Sequence, residues 1–488
     1  MAIFSDRPLL CPNPRFMVDA IVVGSGPNGL AAAITLAREG RSVRVLEAQP
    51  TIGGGARSAE LTLPEFLHDC CSAIHPLALC SPFFRSLSLA RHGLEWIHPE
   101  LALAHPLDDG SAAILSRSVE ETCVSLGEDG RAYRRLIEPL LWQWEMLADE
   151  FLQPIVHLPR HPWLLVRFGL LAVQSLANLA QRHFHGERAR ALFAGLAAHS
   201  FLPLEAAGSA SFGLVLAIMG HAVGWPVPRG GSQKISEALA AHLRELGGFI
   251  ETGHSVRDIR ELENARAVLL DLTSWSASRV AGRRLPTKYR ERLERFPHGP
   301  SVFKMDYALN GPIPWKADAC RRSGTIHLGG TLVEIAASER EVARGEVPLR
   351  PFVLLAQQSV FDQTRAPAGK HTAWAYCHVP RGCRADLSAA IETQIERFAP
   401  GFSTLILARH VSSPSTLESH NANLDGGDIS GGANDLRHLF ARPRLSVVPY
   451  RTPARGLYLC SSSTPPGGGV HGMCGYHAAR AALARELR

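Results

Sequence analysis

The first regular pattern of hydrophobic and polar positions is a short apolar run, an alanine-rich segment and a second apolar run. "DAIVV" (19–23) is a continuous, largely β-branched run typical of a buried parallel strand. "LAAAITLAREG" (30–40) predicts a helix that ends at Gly40, and "SVRVLE" (42–47) predicts a second strand. The order strand, helix, strand indicates an α/β fold with a parallel sheet.

Two later parts of the chain carry related patterns. Residues 227–256 predict a turn, an amphipathic helix and a strand, and "RAVLLDLT" (266–273) predicts the next strand. Near the end, "LYLC" (457–460) predicts a strand, "STPPGGGVHG" a rigid glycine-proline turn, and "MCGYHAARAALAREL" (473–487) a terminal helix.

The middle of the chain has a different pattern. Residues 76–225 predict mainly helices interrupted by prolines, and residues 300–380 predict an antiparallel sheet from the runs 301–309, 324–330, 351–360 and 371–379. The apolar stretches 162–180 and 212–225 favour buried helices over a surface that enters a membrane to collect an oily substrate. Trp374, Tyr376 and His378 share one face of the last strand, where packing on helices is favoured over stacking on a substrate.

The loop after the first strand has the spacing G-x-G-x-x-G. Gly24 permits a tight turn, Gly26 lets the backbone approach a diphosphate, and Gly29 lets the helix pack close to the strand. The first N–H groups of the helix lack partners, so they point at the phosphate and the helix dipole favours its charge. Since the whole β-turn-α-β unit is present, we predict a dinucleotide site.

Two further features bear on which dinucleotide is bound. Glu47 ends the second strand and can accept hydrogen bonds from both ribose hydroxyls, whereas it would repel the 2′-phosphate of NADP. The following segment, "AQPTIGGGARS" (48–58), has three consecutive glycines, which suit a backbone lying flat against a bulky ligand. Arg57 then offers a guanidinium to a diphosphate or a substrate carboxylate. A second loop of this kind favours FAD over NAD.

At this point the sequence resembles a known family. Residues 22–58 and the closing segment "GLYLCSSSTPPGGGVHGMCGYHAARAAL" (456–483) resemble the phytoene desaturase and carotenoid isomerase branch of the amine oxidase-like flavoproteins. This branch is also called phytoene dehydrogenase-like and includes the pyridine nucleotide-disulphide oxidoreductase domain-containing proteins. The present chain has no C-x-x-C redox pair, although the name pyridine nucleotide-disulphide oxidoreductase refers to a redox disulphide.

The resemblance implies a glutathione reductase/amine oxidase-type fold, with a Rossmann-like FAD-binding domain and a second substrate domain of antiparallel sheet plus helices. The FAD-binding domain would be discontinuous, comprising residues 17–75, 226–285 and 445–488. The substrate domain would comprise residues 76–225 and 286–444. By analogy, Val256 meets the adenine, the start of the terminal helix meets the flavin ring, and Ser461 and Ser462 lie near the ribityl and phosphate groups.

The complete set of predicted FAD-binding residues combines the motif residues with those that the resemblance implies. For His471, a backbone role is favoured over proton transfer, because many family members have an apolar residue there. No catalytic side chain and no metal ligand is assigned. The predicted FAD-binding residues are Gly24, Gly26, Pro27, Asn28, Gly29, Glu47, Ala48, Gly54, Gly55, Ala56, Arg57, Val256, Ser461, Ser462, Gly469, Val470, His471, Gly472 and Met473.

Composition changes this picture little. The 488 residues are 46% hydrophobic and 20% charged with a net charge of +6, which indicates a globular protein and gives no support for nucleic acid binding. The ten cysteines favour scattered reduced thiols over disulfides or a zinc site. Residues 1–16 predict an irregular lead-in without a secretion signal. We therefore expect a cytoplasmic protein, with peripheral membrane contact as an alternative; the sequence does not determine the oligomeric state.

The leading functional hypothesis is an FAD-dependent oxidoreductase that desaturates an apolar isoprenoid- or lipid-like substrate by hydride transfer from a C–H bond to flavin N5. Two alternatives stay open. One is a flavin-dependent amine or amino-acid oxidase, which predicts an aromatic cage. The other is a non-redox flavin-dependent isomerase or binding protein. A glycine-rich segment, 421–436, is expected to form a loop near the mouth of the flavin site.

Overall fold

A computed structural model describes residues 17–154 and 156–488. The predicted lead-in of residues 1–16, with Cys11, lies outside the described residues. The nine cysteines within them are all free thiols, as expected for reduced cysteines. The predicted fold class is confirmed: an α/β Rossmann-like unit is combined with a second unit of sheet and helices.

The described residues form sixteen strands, numbered β1 to β16 in chain order. They are Val18–Val23, Val43–Leu46, Ser58–Glu60, Leu67–Asp69, Trp96–Ile97, Leu101–Pro106, Ala112–Leu115, Val227–Pro228, Phe249–Glu251, Ala265–Leu270, Ser301–Leu309, Ser323–Leu328, Val353–Ala356, His371–Val379, Ile406–Ser412 and Leu457–Leu459.

Nineteen α-helices, numbered α1 to α19 in chain order, connect and cover these strands in the described part of the chain. They are Pro27–Arg38, Pro76–Cys80, Pro82–Arg85, Val119–Ser125, Gly130–Leu141, Trp144–Phe151, Pro162–Ala172, Leu176–His183, Glu187–Ala198, Ser209–Ala222, Gln233–Glu245, Ser274–Ala281, Thr287–Glu294, Asp318–Arg321, Leu332–Ala343, Ser388–Phe398, Pro414–His420, Leu436–Phe440 and Met473–Leu483.

The first sheet is parallel and has the order β16-β10-β1-β2-β9. Its strands come from three separate parts of the chain, within 18–46, 249–270 and 457–459. The central strand β1 is buried through its last four residues, which explains its continuous apolar sequence. Helices α1, α11 and α19 cover one face, and α1 contacts both of the others. The predicted domain boundaries stay a prediction.

The second sheet has the order β15-β11-β14-β13-β12-β6-β7 and is antiparallel except where β6 runs parallel to β12. One face is an apolar core that includes Phe303, Met305 and Cys377. Their neighbours along the same strands, such as Lys304, Trp374 and Tyr376, therefore lie on the opposite face. This alternation places polar and aromatic side chains on the side of the sheet away from that core.

The structure adds strands that the sequence did not predict and corrects one expectation. Residues 76–225 are helical for the most part, but they also contain the strands β5, β6 and β7. Strand β15 (406–412) was missed, since it is a half-buried edge strand and therefore lacks a continuous apolar run. The stretch 162–180 was expected to be buried. Helix α7 instead exposes Trp163 by 85% and Leu170 by 67%, because apolar composition alone does not specify which side of a helix is covered.

The length of the apolar helices decides whether any of them could cross a membrane. Within residues 17–154 and 156–488, no single helix is long and apolar enough to cross one. Helices α7 and α8 meet the length and composition criteria only as a pair, and the pair is bent by 93°.

Candidate dinucleotide and substrate site

The glycine loop lies at the carboxyl ends of β1 and β10, where parallel sheets bind ligands. Gly26 is the N-cap of α1 and has no capping side chain of its own. A β-carbon at Gly29 would overlap the carbonyl oxygen of Gly24, so the helix packs directly on the turn, as predicted. Asn28 is buried, and its side-chain Oδ1 has no hydrogen-bond partner among the described residues.

Glu47 is fixed at the end of β2 by hydrogen bonds from the glycine loop. Its Oε2 accepts from the Ser25 N–H at 2.8 Å and the Ser25 hydroxyl at 2.6 Å, and its Oε1 accepts from the Gln49 N–H at 2.9 Å. The side chain is buried but lines the same cavity as the glycines. Its carboxylate is therefore held in one orientation at the position expected to meet a ribose.

The loop with three glycines lies next to the first glycine loop. A β-carbon at Gly54 would be 3.1 Å from the Gly26 Cα, and both Gly53 and Gly54 have positive φ. Arg57, predicted to bind an anion, donates instead to the carbonyl oxygens of Gly54 at 2.9 Å and His420 at 2.7 Å. Its guanidinium thus holds the loop in place while still lining the cavity.

The carboxyl-terminal segment reaches the same place. Gly472 is the N-cap of α19 with a φ of 68°. A β-carbon at this position would lie 2.9 Å from the β-carbon of Ala31 and 2.9 Å from the ring carbon Cδ1 of Phe83. The Ser81 hydroxyl donates to the carbonyl oxygen of His471 at 2.6 Å. The two ends of the chain therefore meet at α1 and α19, and the turn before α19 borders the cavity.

Both ring nitrogens of His471 are used within this turn. Nδ1 accepts from the Met473 N–H at 3.0 Å, and Nε2 donates to the Gly467 carbonyl oxygen at 3.2 Å. Burial lowers the pKa of His471 to about 4, so the imidazole is neutral. The side chain thus caps the start of α19, which leaves no free nitrogen for proton transfer.

One continuous cavity of about 1370 Å³ connects these elements. That is larger than the 300–1,000 Å³ typical of a single small-ligand pocket.

Three of the predicted residues, Gly29, Gly472 and Met473, do not line this cavity and lie in the packing beneath. The other sixteen do: Gly24, Gly26, Pro27, Asn28, Glu47, Ala48, Gly54, Gly55, Ala56, Arg57, Val256, Ser461, Ser462, Gly469, Val470 and His471. Their binding roles stay a prediction.

Sequence reasoning missed Asp271, which follows β10 and lies under the glycine loop. Its Oδ2 accepts from the Gly29 N–H at 2.9 Å, and a β-carbon at Gly26 would be 2.9 Å from the same oxygen. Burial, with a smaller contribution from the nearby Glu47 charge, raises the pKa of Asp271 to about 7. A sequence signal existed, because an acid at the carboxyl end of a strand beside the glycine loop lies in the ligand crevice.

The cavity continues past the terminal turn between α7, α10 and the second sheet. Trp374 and Tyr376 line it, with ring centroids 5.3 Å apart and planes inclined by 38°. Tyr376 also packs against the helix-rich core, in line with the favoured interpretation, and stacking of the pair on a substrate stays a prediction. His378 faces α15, where its Nδ1 pairs with the buried carboxylate of Glu339 at 2.9 Å.

The segment 421–436, which the sequence singled out, lies at the cavity, and a cluster that the sequence analysis did not name lies away from it. Several residues of 421–436 border the cavity, including Asn423, Ile429 and Gly431, as expected for a loop at its mouth. Away from the cavity, the partly exposed His92 and His242 and the exposed Glu245 bring potential metal-ligating atoms within 4.8 Å of one another.

The fold, with its parallel sheet, second sheet and crevice, is one that solved oxidoreductases such as cyclohexylamine oxidase share. Residues 22–82 match the family model described as an NAD(P)-binding Rossmann-like domain. The chain is 26% identical to pyridine nucleotide-disulfide oxidoreductase domain-containing protein 2 of Rattus norvegicus, over 98% of this chain and 95% of the relative. It is 27% identical to a phytoene dehydrogenase of Streptomyces griseus, over 72% of this chain and 71% of the relative.

Solved structures agree on the fold. An oxidoreductase from Methanosarcina mazei matches with a TM-score of 0.66 at 16% identity, covering 96% of this chain and 100% of its own. Cyclohexylamine oxidase from Brevibacterium oxydans matches with a TM-score of 0.59 at 15% identity, covering 97% of this chain and 100% of its own. The resemblance to phytoene desaturase-like and amine oxidase-type proteins is thereby confirmed.

Proposed function

We propose that the protein is an FAD-dependent oxidoreductase that desaturates a largely apolar substrate. The observation that supports this most directly is the shape of the cavity. It starts at the glycine loop, passes the terminal turn at Gly469–His471 and continues between apolar walls of α7 and α10. A dinucleotide in the first part would present its reactive end to a substrate in the second part.

The residues present fit FAD. The N-cap of α1 is a glycine without a capping side chain, Asn28 Oδ1 is buried without a partner among the described residues, and Gly26 lies against Gly54 where side chains would narrow the crevice. We expect the diphosphate at the start of α1, the ribose at Glu47 and the ring beside the turn at 469–471. A positive helix end near the ring would stabilise the negative charge of a reduced flavin.

FAD held by the glycine loop, Glu47 and the turn at 469–471 would supply a two-electron oxidant for removing two hydrogens from the substrate, one as a hydride and one as a proton released to solvent. The contribution of the chain is to position and desolvate the substrate. Leu216 and Met219 of α10 and Phe168 of α7 form apolar walls that exclude water from the reacting carbons. Because His471 is neutral and internally hydrogen-bonded, we assign it no proton transfer.

One observation favours the amine oxidase alternative. The tilted pair Trp374 and Tyr376 could bind a substrate ammonium by cation–π attraction. Cyclohexylamine oxidase shares the fold at 15% identity, which does not transfer its substrate. Reduction of the bound flavin by alkyl amines, with no reduction by isoprenoid probes, would favour this second function. Double-bond rearrangement without net flavin reduction would instead favour an isomerase.

The test is a spectrum of the purified protein followed by anaerobic titration. We expect a yellow protein whose flavin is bleached by an isoprenoid probe, with a product two hydrogens lighter. As a variant, Gly26→Val places a side chain against the Asp271 Oδ2 and should abolish flavin binding. Gly311→Ala, whose β-carbon meets only Leu405 at 3.9 Å, is the control and should stay yellow. A colourless wild-type protein that takes up no added FAD would overturn the proposal.

Peripheral membrane contact is part of this proposal. The outward side of α7 presents Trp163, Val166 and Leu170 to solvent, while Leu165 and Phe168 of the same helix line the cavity. A helix that is apolar on both sides separates the cavity from the surroundings. An apolar substrate dissolved in a bilayer could then enter without crossing water.

Flotation with phospholipid vesicles tests this contact. Trp163→Ser combined with Leu170→Ser should reduce vesicle binding about tenfold or more, because the loss of buried apolar area weakens interfacial association. The control combines Val333→Ser and Leu349→Ser, which are also exposed, at 68% and 90%, but do not line the cavity. Equal vesicle binding by both double variants and the wild type would argue against the contact.

A further inference from the structure

The part of the cavity against the second sheet has a polar lining. Thr325 of β12, Ala356 of β13 and Trp374 of β14 are direct cross-strand partners, so they lie in one row on the same face. Leu354 and Tyr376 form the neighbouring row. Thr325, Leu354, Trp374 and Tyr376 all line the cavity.

Several polar atoms in this region have no protein partner. Trp225, Thr325 and Trp374 line the cavity and are more than nine-tenths buried. Trp225 Nε1, Thr325 Oγ1 and Trp374 Nε1 have no hydrogen-bond partner among the described residues. An unsatisfied buried polar group destabilises the fold, so native proteins rarely keep several together unless a bound molecule satisfies them.

The titratable side chains that line this part of the cavity are uncharged at neutral pH. His199 lines the cavity beside Trp225, and burial lowers its pKa to about 3. Its Nε2 lies 3.0 Å from Nε2 of His327, whose pKa burial also lowers well below the usual value. Burial raises the pKa of Tyr376, so its hydroxyl remains protonated. At neutral pH these side chains therefore offer uncharged hydrogen-bonding groups.

We propose that this region, Trp225, Thr325, Trp374 and Tyr376, binds an uncharged oxygen of the substrate, either a hydroxyl or a carbonyl. This inference rests on the proposed function and narrows it to an oxygenated apolar substrate. Indole N–H groups only donate hydrogen bonds, and the hydroxyls can donate as well, so the matching ligand atom is an acceptor. A pure hydrocarbon would leave these donors unsatisfied.

The geometry disfavours charged groups at this position. An ammonium has only donors and cannot accept from an indole N–H, so it would leave Trp225 and Trp374 unsatisfied. A carboxylate needs a cation, and the buried Lys304 on this sheet face is already paired with Asp306. Lys304 also does not line the cavity. A neutral oxygen is the ligand group that the region can bind without an unpaired buried charge.

Binding of three matched probes tests this inference. They are farnesol, the hydrocarbon that lacks its hydroxyl, and farnesylamine, each titrated into the FAD-loaded protein while the flavin absorption spectrum and tryptophan fluorescence are recorded. We expect farnesol to bind about tenfold more tightly than the hydrocarbon or the amine. Equal affinities, tighter binding of the amine or hydrocarbon, or no binding of any probe would overturn the inference.

Variants assign the preference to the named side chains. Thr325→Val keeps the shape and removes the hydroxyl, and Trp225→Phe removes the indole N–H. Each should weaken farnesol binding about three- to tenfold and leave the hydrocarbon unchanged. Met219→Leu, an apolar change in the same cavity, should affect both probes equally. The assignment would be contradicted if Met219→Leu weakened the binding of farnesol but not of the hydrocarbon. It would also be contradicted if neither Thr325→Val nor Trp225→Phe weakened farnesol binding.

The probes also separate this inference from the proposed function. Flavin content and anaerobic flavin reduction report on the oxidoreductase itself, whereas the ratio of probe affinities reports only on the polar region. A yellow protein that is reduced by substrate but shows no preference for farnesol would overturn the inference alone. A protein without flavin that still prefers farnesol would overturn the proposed redox function alone.

Discussion

Gly475 of α19 lies directly on the main chain of Asn28 in α1, so closely that a β-carbon at 475 would overlap the Asn28 carbonyl oxygen. This contact joins the last helix to the helix that begins at the glycine loop. It also places the turn before α19 beside the dinucleotide crevice.

We expect Gly475→Ala to separate α1 from α19. The two backbones cannot approach as closely when a methyl group lies between them. The free energy of unfolding should therefore fall by about 1–3 kcal/mol, and the purified variant should contain less FAD. Thermal unfolding and the flavin-to-protein absorbance ratio measure both effects. Gly311→Ala is the control and should be unchanged. A fully stable Gly475→Ala protein with normal flavin content would show that the helices can move apart without consequence.

The raised pKa of Asp271 predicts a pH-dependent stability of the FAD-free protein. The pKa is about 7 in the folded chain and 3.8 for the unperturbed group, so between these values the folded chain keeps a proton that the unfolded chain has lost. The contribution of Asp271 to the free energy of unfolding is therefore fully present below about pH 4. It is lost as the pH rises toward 7, at up to about 1.4 kcal/mol per pH unit.

Asp271→Asn should remove this component. Urea unfolding at several pH values from about 5 to about 8 measures the slope for the wild type and the variant. Other groups contribute equally to both proteins, so the difference between the two curves isolates Asp271. Parallel curves would mean that the carboxyl is ionised throughout and that its burial does not shift its pKa.

Glu47→Gln should weaken FAD binding about tenfold or more. The carboxylate accepts from the Ser25 N–H, the Ser25 hydroxyl and the Gln49 N–H, and the amide nitrogen of glutamine would face one of these donors. The dissociation constant follows from the fluorescence of flavin released on dilution. Glu60→Gln, an exposed change, serves as the control. An unaltered dissociation constant would remove Glu47 from the predicted site.

Arg365→Met should destabilise the fold strongly. Arg365 is fully buried and pairs with Asp69 at 3.0 Å and Asp362 at 2.8 Å, and its loss leaves two buried carboxylates without a cation. Removal of one partner from such a network costs about 3–5 kcal/mol. Arg340→Met, which breaks an exposed pair with Glu205, should cost about 0–1 kcal/mol. Chemical denaturation of both variants measures the difference, and similar losses would contradict it.

Local sequence determined the parts of the fold that depend on neighbours along the chain. The strand predicted at 19–23 is Val18–Val23, the helix predicted at 30–40 is Pro27–Arg38, and the strand predicted at 42–47 is Val43–Leu46, so these elements agree within three residues at each end. The glycine spacing specified a ligand crevice because a tight turn and close helix packing require glycine wherever the rest of the chain lies. The closing motif could be matched to the same crevice through its family resemblance alone.

Only the tertiary structure decided how distant segments meet. The pairing of Asp271 with the Gly29 N–H, and the row formed by Thr325 and Trp374, join residues that are far apart in the chain or on different strands. Whether α7 buries or exposes its apolar residues depends on which elements cover it, and its composition is the same in either case. Local periodicity encodes which side chains share a face, whereas contacts between elements decide what that face meets.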